Sequence, residues 1–77
     1  DSSFVSSIDI LAKESAQIYV EITNAFSELN VKIISLNTSI NKNGEFLIKI
    51  GMLVKDKNQL QQIKNKISSL PSVYEVK

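Results

Sequence analysis

Residues 41–55 read NKNGEFLIKIGMLVK, and this stretch decides the fold. Its first four residues end in Asn43-Gly44, a pair that readily supplies the positive φ angles of a β-hairpin. From residue 46 onward the even positions are all apolar, which is the period of two of a half-buried strand. The Ile- and Thr-containing segment 32–40 supplies the strand on the other side of the turn. The sequence therefore predicts two adjacent antiparallel strands.

The residues before this hairpin change from one period to another. Between residues 17 and 29 the apolar positions recur at three and four, which predicts an amphipathic helix. We expect Ser15 to be the N-cap of this helix and Asn30 to end it. Residues 4–12 alternate instead and predict a first strand. The apolar face of that strand comprises Phe4, Ile8, Ile10 and Ala12.

A second helix and a short strand follow the hairpin. Asp56 is a plausible N-cap, and the apolar residues after it are spaced three, four and three apart. These residues are Leu60, Ile63, Ile67 and Leu70. The helix must stop before Pro71, because proline disfavours helical geometry in the preceding residue. Residues 73–76 then predict a final strand.

The order strand, helix, strand, strand, helix, strand predicts an α+β fold, the ferredoxin-like βαββαβ sandwich. One four-stranded antiparallel sheet carries both helices on one face. Right-handed crossovers place the first and third strands in the centre, with their even-numbered faces toward the helices. The opposite face is expected to be partly apolar and covered by a partner. We assign to that face Leu11, Leu36, Leu47, Gly51 and Leu53.

Composition excludes several classes of function. The chain of 77 residues is long enough for one small domain, residues 1–77. It contains no His, Cys, Trp or Arg, and its net charge is +1. Zinc sites, thiol chemistry and Ser-His catalysis are therefore not expected, and we predict no metal and no cofactor. Because no apolar run could span a bilayer, we expect no membrane partner and a cytoplasmic location.

The same residues carry a family resemblance. The matching pieces are residues 8–12, 20–23, 26–33 and 54–56, with Gly44, Leu60, Val73 and Val76. Together they resemble an ACT domain and, within that family, the C-terminal ACT domain of RelA/SpoT-type guanosine tetra- and pentaphosphate synthetase/hydrolases. The resemblance runs from residue 4 to residue 77. With the start at Asp1 in place of Met, it leads us to expect a domain excised from a longer chain.

The resemblance implies a regulatory role. ACT domains sense ligands and dimerise, and they are not themselves catalytic. The parent chain would be an enzyme of the stringent response, a GTP pyrophosphokinase that makes and hydrolyses guanosine tetraphosphate. The implied partners are a second copy in a homodimer with ACT-ACT contacts, an amino-acid ligand, and the ribosome through the parent protein.

The resemblance also implies a ligand site at the junction of the first strand and the first helix. The matching residues are Glu14, Ser15, Ala16, Gln17 and Ile18. Glu14 lies near the acidic position of the family, but Gln17 stands where the family has glycine. Because glutamine has a Cβ and disfavours the angles that glycine allows, this departure argues against amino-acid binding in the family manner. A solvated, capped loop is the other interpretation of Glu14 and Ser15.

Other functions stay open beside this one. The domain could instead regulate an enzyme of amino-acid metabolism. An RNA-binding or ribosome-binding ferredoxin-like domain would need exposed aromatic residues on its central strands. A small phosphatase of the acylphosphatase type would need an arginine to hold phosphate, and the chain has none.

Overall fold

The computed structural model describes residues 3–77 and has the predicted order of elements. The strands are β1 (Phe4–Ala12), β2 (Lys32–Ile40), β3 (Phe46–Val54) and β4 (Val73–Val76). The helices are α1 (Ile18–Glu28) and α2 (Lys57–Ser68). The α+β, ferredoxin-like fold class is thereby confirmed. Neither helix reaches the length and hydrophobicity that a membrane-crossing segment within residues 3–77 would need.

The four strands form one antiparallel sheet in the order β2-β3-β1-β4. The prediction that the first and third strands lie in the centre is confirmed. Each strand-helix-strand half crosses over one intervening strand, β3 in the first half and β1 in the second. Helix α1 therefore lies toward β2, and α2 lies toward β4.

The core lies between the sheet and the two helices. The even positions from Ile8 to Ala12 and from Ile48 to Val54 are buried as expected, Phe46 is half-buried, and Met52, at 0% exposure, is a packing residue. The core residues of the central strands are Ile8, Ile10, Ala12, Ile48, Ile50, Met52 and Val54, and those of the helices are Ile18, Ile22, Ala25, Phe26, Ile63 and Ile67. Phe4 departs from the prediction, because its exposure is 41%. β4 pairs only with the far end of β1, so Phe4 has no strand beside it on that side.

The expectation for Leu36 is wrong. Its Cα partner is Ile50, so Leu36 lies on the helix face and packs against the core. The cause is a bulge in β2, where Ile33 pairs with Met52 while Ser35 pairs with Gly51. The extra residue, Ile34, shifts the alternation by one position. A strict period of two cannot place Ile33 and Leu36 on the same face, but the bulge does.

Two residues with positive φ end α1 and form the hairpin turn. Asn30 has a φ of 56°, and the chain closes α1 there with N–H bonds from Asn30 to the Ser27 carbonyl and from Val31 to the Phe26 carbonyl. This Schellman arrangement confirms that Asn30 ends the helix. In the hairpin, Gly44 alone has positive φ, at 78°, whereas we expected both Asn43 and Gly44 to supply it.

The start of α2 is as predicted. The Asp56 carboxylate accepts the N–H of Gln59 at 2.8 Å, so Asp56 is the N-cap. The Gln59 side chain accepts the N–H of Lys55 at 2.7 Å and donates to the carbonyl of Leu29 at 3.3 Å. Gln59 thus joins the beginning of α2 to the end of α1.

Candidate functional site

Residues 13–17 connect β1 to α1 and form the loop in which the sequence places a ligand. The N–H of Lys13 donates to the carbonyl of Ser72 at 2.7 Å, which ties the loop to the segment before β4. At its other end the N–H of Gln17 donates to Ser15 Oγ at 3.2 Å, and the N–H of Ile18 donates to the Ser15 carbonyl at 3.3 Å. The loop is therefore anchored on both sides.

The five candidate residues are not equally accessible. Glu14, Ala16 and Gln17 are exposed, and Ser15 is half-buried. Ile18 is fully buried in the core, so its side chain faces the sheet and is shielded from the loop surface. A ligand at the loop would meet the first four side chains and the backbone.

The expectation that Ser15 caps α1 is wrong. The helix begins at Ile18 and its N-cap is Gln17, whose side chain makes no capping hydrogen bond. An N-cap side chain bonds the N–H groups two or three residues into the helix. Ser15 lies too early for that, and its hydroxyl accepts the N–H of Gln17 instead.

The backbone conformation of Gln17 does not require glycine at this position. Its φ of −96° and ψ of −5° lie in the right-handed region, which any L-residue can adopt. The Cβ of Gln17 therefore causes no backbone strain in this loop. The exposed amide of Gln17 instead adds a side-chain donor and acceptor where glycine has none.

The first turn of α1 offers free donors beside this loop. The N–H of Glu21 donates to the Gln17 carbonyl at 3.0 Å. Within residues 3–77, the N–H groups of Tyr19 and Val20 have no acceptor. Free N–H groups and the positive end of the helix dipole together favour an anionic group such as a carboxylate.

Tyr19 joins this turn to the sheet edge, a role that the sequence pattern does not predict. Its hydroxyl donates to Thr38 Oγ1 in β2 at 2.9 Å. Its ring lies 6.0 Å from the ring of Phe46, centroid to centroid, at the start of β3. The only signal in the sequence was an aromatic residue directly after the first core position of the helix. The position of α1 is thus connected to the outer strand β2.

β2 is the longer of the two edge strands, with nine residues against four in β4. Its outer backbone groups have no strand beside them in the order of the sheet. Two of its apolar side chains, Ile34 and Ile40, are 51% and 59% exposed. A long edge with exposed β-branched residues is able to pair with another strand.

A concave region with a volume of about 280 Å³ lies between the two helices. Lys66 and Glu28 form an ion pair there. Glu21 Oε1 is buried, and no group within residues 3–77 donates a hydrogen bond to it. The described residues contain no cluster of three or more acidic, His or Cys side chains that could hold a metal ion.

The chain is a small α+β sandwich whose candidate site offers backbone donors to a ligand. The family model described as "ACT domain" matches residues 1–77, so the chain belongs to the ACT domain family. The ACT domain is a non-catalytic regulatory module. No curated protein sequence matches the chain.

Several solved structures share the fold. The ACT domain from GTP pyrophosphokinase of Chlorobium tepidum superposes with a TM-score of 0.83 at 21% identity, over 99% of this chain and 97% of that one. The C-terminal domain of the MgtC protein from Mycobacterium tuberculosis gives 0.77 at 14% identity, over 95% and 82%. A homoserine dehydrogenase from Thiobacillus denitrificans gives 0.80 at 16% identity, over 97% of this chain and 16% of that one.

Proposed function

We propose that this ACT domain is the ligand-sensing, dimerising control module of a guanosine tetra- and pentaphosphate synthetase/hydrolase. The observation that carries the proposal is the end-to-end correspondence with the ACT domain of the Chlorobium tepidum GTP pyrophosphokinase, 99% of one chain against 97% of the other. At 21% identity this likeness concerns the fold. The resemblance of the residues themselves supplies the subfamily. The parent chain would be a cytoplasmic enzyme, with the ribosome as a further partner.

The ligand of this proposal is an amino acid held at the β1-α1 loop. Its carboxylate would accept the free N–H groups of Tyr19 and Val20, which lie at the positive end of α1. Its ammonium group would lie toward Glu14, the one acidic side chain of the loop. Gln17 would offer its exposed amide to the same ligand.

The dimer of this proposal forms through the edges of two β2 strands, which would continue the sheet across both copies. β2 has the length for this pairing, and its exposed Ile34 and Ile40 would be covered. Because Tyr19 bonds Thr38 in β2, a ligand that reorients the first turn of α1 would act directly on this edge. Differential affinity for two arrangements of the dimer is what would bias the parent enzyme.

The ligand site is tested by NMR, through changes in the chemical shifts of the backbone amides. We expect titration with single amino acids, the branched-chain ones first, to move the amide signals of residues 13–20. Ser15→Ala removes the acceptor of the Gln17 N–H and should weaken binding about two- to tenfold, the equivalent of one ordinary hydrogen bond. The matched control is Ser68→Ala, whose hydroxyl donates to the Asn65 carbonyl in α2. No shift across residues 13–20 with any amino acid would remove the site.

Sedimentation equilibrium tests the edge dimer. Ile34→Lys places a charge on the outer edge of β2 and should lower the mass of the wild-type assembly by removing the edge contact. Tyr74→Lys, an equally exposed apolar residue on β4, is the control and should leave the mass unchanged. The reverse pattern would contradict β2 as the interface and indicate β4.

A domain exchange tests the parent function. This chain would replace the ACT domain of the Chlorobium tepidum GTP pyrophosphokinase, and guanosine tetraphosphate synthesis and hydrolysis would be measured with and without amino acids. We expect the chimaera to retain a regulated ratio of the two rates, unlike an enzyme from which the ACT domain is deleted. A chimaera that behaves like the deletion would contradict the proposal.

The fold shared with homoserine dehydrogenase favours a second candidate, control of an amino-acid-metabolism enzyme. That match spans only 16% of the dehydrogenase chain, so the ACT fold is there one part of a larger protein. The same chain grafted onto the dehydrogenase would then confer feedback inhibition that the pyrophosphokinase chimaera lacks.

A further inference from the structure

The face of the sheet away from the helices carries a regular pattern on its two central strands. Four cross-strand pairs follow one another along β1 and β3 on this open face. In order they are Val5 with Leu53, Ser7 with Gly51, Asp9 with Lys49, and Leu11 with Leu47. In three of these pairs the two side chains are similar in size. In the remaining pair an acid, Asp9, lies opposite a base, Lys49.

Among residues 3–77, the charged side chains of this open face have no ion-pair partners. Asp9 and Lys49 are both exposed. Within residues 3–77 the one ion pair joins Lys66 to Glu28, on the helices. Lys77 and Glu75 lie beside Asp9 and Leu11 at the outer side of the face. Lys32, opposite Leu53, lies on the same face, so its five charges sum to only +1 and give little preference for a polyanion.

We propose that this open face binds the open face of a second copy of the chain, with a two-fold axis that runs along the strands between β1 and β3. Such an axis places β1 of one copy over β3 of the other. Each Asp9 then faces the Lys49 of the second copy, and each Leu11 faces its Leu47. The interface is isologous, and its two ion pairs are equivalent.

The middle of the face allows two sheets to approach. Gly51 has no side chain, and Ser35 Oγ lies 2.6 Å from the point that a Cβ would occupy. The central row therefore holds only small groups, from Ser7, Gly51 and Ser35. Sheets that pack with nearly parallel strands lie about 10 Å apart. Because each sheet is twisted, only the cross-strand pairs near the two-fold axis stay aligned with those of the second copy.

The size of the face is sufficient for a specific contact. Three strands of roughly 30 Å and the shorter β4 of roughly 13 Å, each about 4.8 Å wide, cover on the order of 500 Å² per copy. Two copies would bury roughly 1,000 Å², the lower limit of a specific interface. A depression of about 470 Å³, which Leu11 and Leu47 themselves line, lies on the same face and would be covered by the second copy.

Two other occupants fit this surface less well. Bases of RNA stack on aromatic rings, and neither β1 nor β3 places an aromatic side chain on the open face. A small zwitterion in the depression would use the same charges, but it would leave most of the leucine rows uncovered.

This interface is separate from the β2 edge, so the two associations can be tested apart. The experiment measures mass by sedimentation equilibrium on the Ile34→Lys chain, in which the edge contact is removed. We expect the Ile34→Lys chain to remain a dimer. Asp9→Lys and Lys49→Asp should each raise the dissociation constant of this dimer about tenfold or more, because like charges then face each other at both of its equivalent contacts. Lys57→Asp, on the exposed start of α2, is the control and should have no effect.

The decisive step is to mix the two reversed chains. The D9K chain presents two positive charges to the second copy and the K49D chain presents two negative ones, so an equimolar mixture should form a heterodimer. Insensitivity to both reversals, or two self-repelling chains that do not associate on mixing, would overturn the proposal. An Ile34→Lys chain that stays monomeric at about 1 mM would overturn it too. A failed edge dimer is distinguishable, because Ile34→Lys would then leave the wild-type mass unchanged.

Discussion

Removing the N-cap carboxylate of α2 tests how the two halves of the domain are held together. In Asp56→Ala the N–H of Gln59 loses its acceptor at 2.8 Å and turns to water. Loss of an N-cap of this kind costs about 1 kcal/mol of the free energy of unfolding. Because Gln59 also holds Lys55 and the Leu29 carbonyl, the loss should fall toward the upper part of the range, about 1–2 kcal/mol.

Thermal unfolding by circular dichroism measures this effect. For a domain of this length we expect Tm to fall by roughly 4–8 °C per kcal/mol. Asp56→Asn keeps an oxygen that can accept the Gln59 N–H and should stay within about 0.5 kcal/mol of the wild type. If Asp56→Asn loses as much stability as Asp56→Ala, the effect comes from the charge and the hydrogen-bond argument fails. An Asp56→Ala chain as stable as the wild type would refute the role of the cap.

Three further changes test other parts of the structure by urea unfolding. Ile50→Ala leaves a cavity at a position with 0% exposure and should cost about 2–5 kcal/mol; a loss under about 1 kcal/mol would mean that the core is not packed as described. Gly44→Ala meets no atom within 4 Å but must adopt a φ of 78°, so it should cost about 1 kcal/mol, and Gly44→Asn should cost less because asparagine tolerates this region. Glu21→Met removes a buried oxygen that has no donor within residues 3–77 and should stabilise the domain by about 1 kcal/mol. The control Glu28→Met breaks an exposed ion pair and should change stability by less than about 0.5 kcal/mol. A destabilised Glu21→Met chain would indicate a hydrogen-bond partner for Glu21.

Local patterns in the sequence were sufficient for the order of the elements. The alternation in β3 and the three-and-four spacing in α2 each reflect a single buried face, which a residue keeps whatever its neighbours are. Asn30 and Asp56 were identified for the same reason, because their helix-end roles depend on their own backbone and side chain. Tyr19 was missed because its role depends on Thr38, nineteen positions away.

Where two distant segments had to be aligned, the sequence was not enough. Ser15 was assigned as a cap because serine favours that role, but the true start of α1 at Ile18 depends on how Ile18 enters the core. Leu36 was assigned to the wrong face because the bulge at Ile34 exists only in the pairing of β2 with β3. The right-handed conformation of Gln17 likewise depends on a loop held from both sides, by Ser72 at one end and by the helix at the other.

The sequence by itself determined the ferredoxin-like order of strands and helices, the buried faces of the central strands and the membership of a regulatory family. Only the tertiary structure decided which groups are free: the N–H donors of Tyr19 and Val20, the outer edge of β2, and the row of Asp9 and Lys49 on the open face. The physical reason is that burial faces follow from local periodicity, whereas a free group is defined by everything that could have satisfied it, and those partners come from distant parts of the chain.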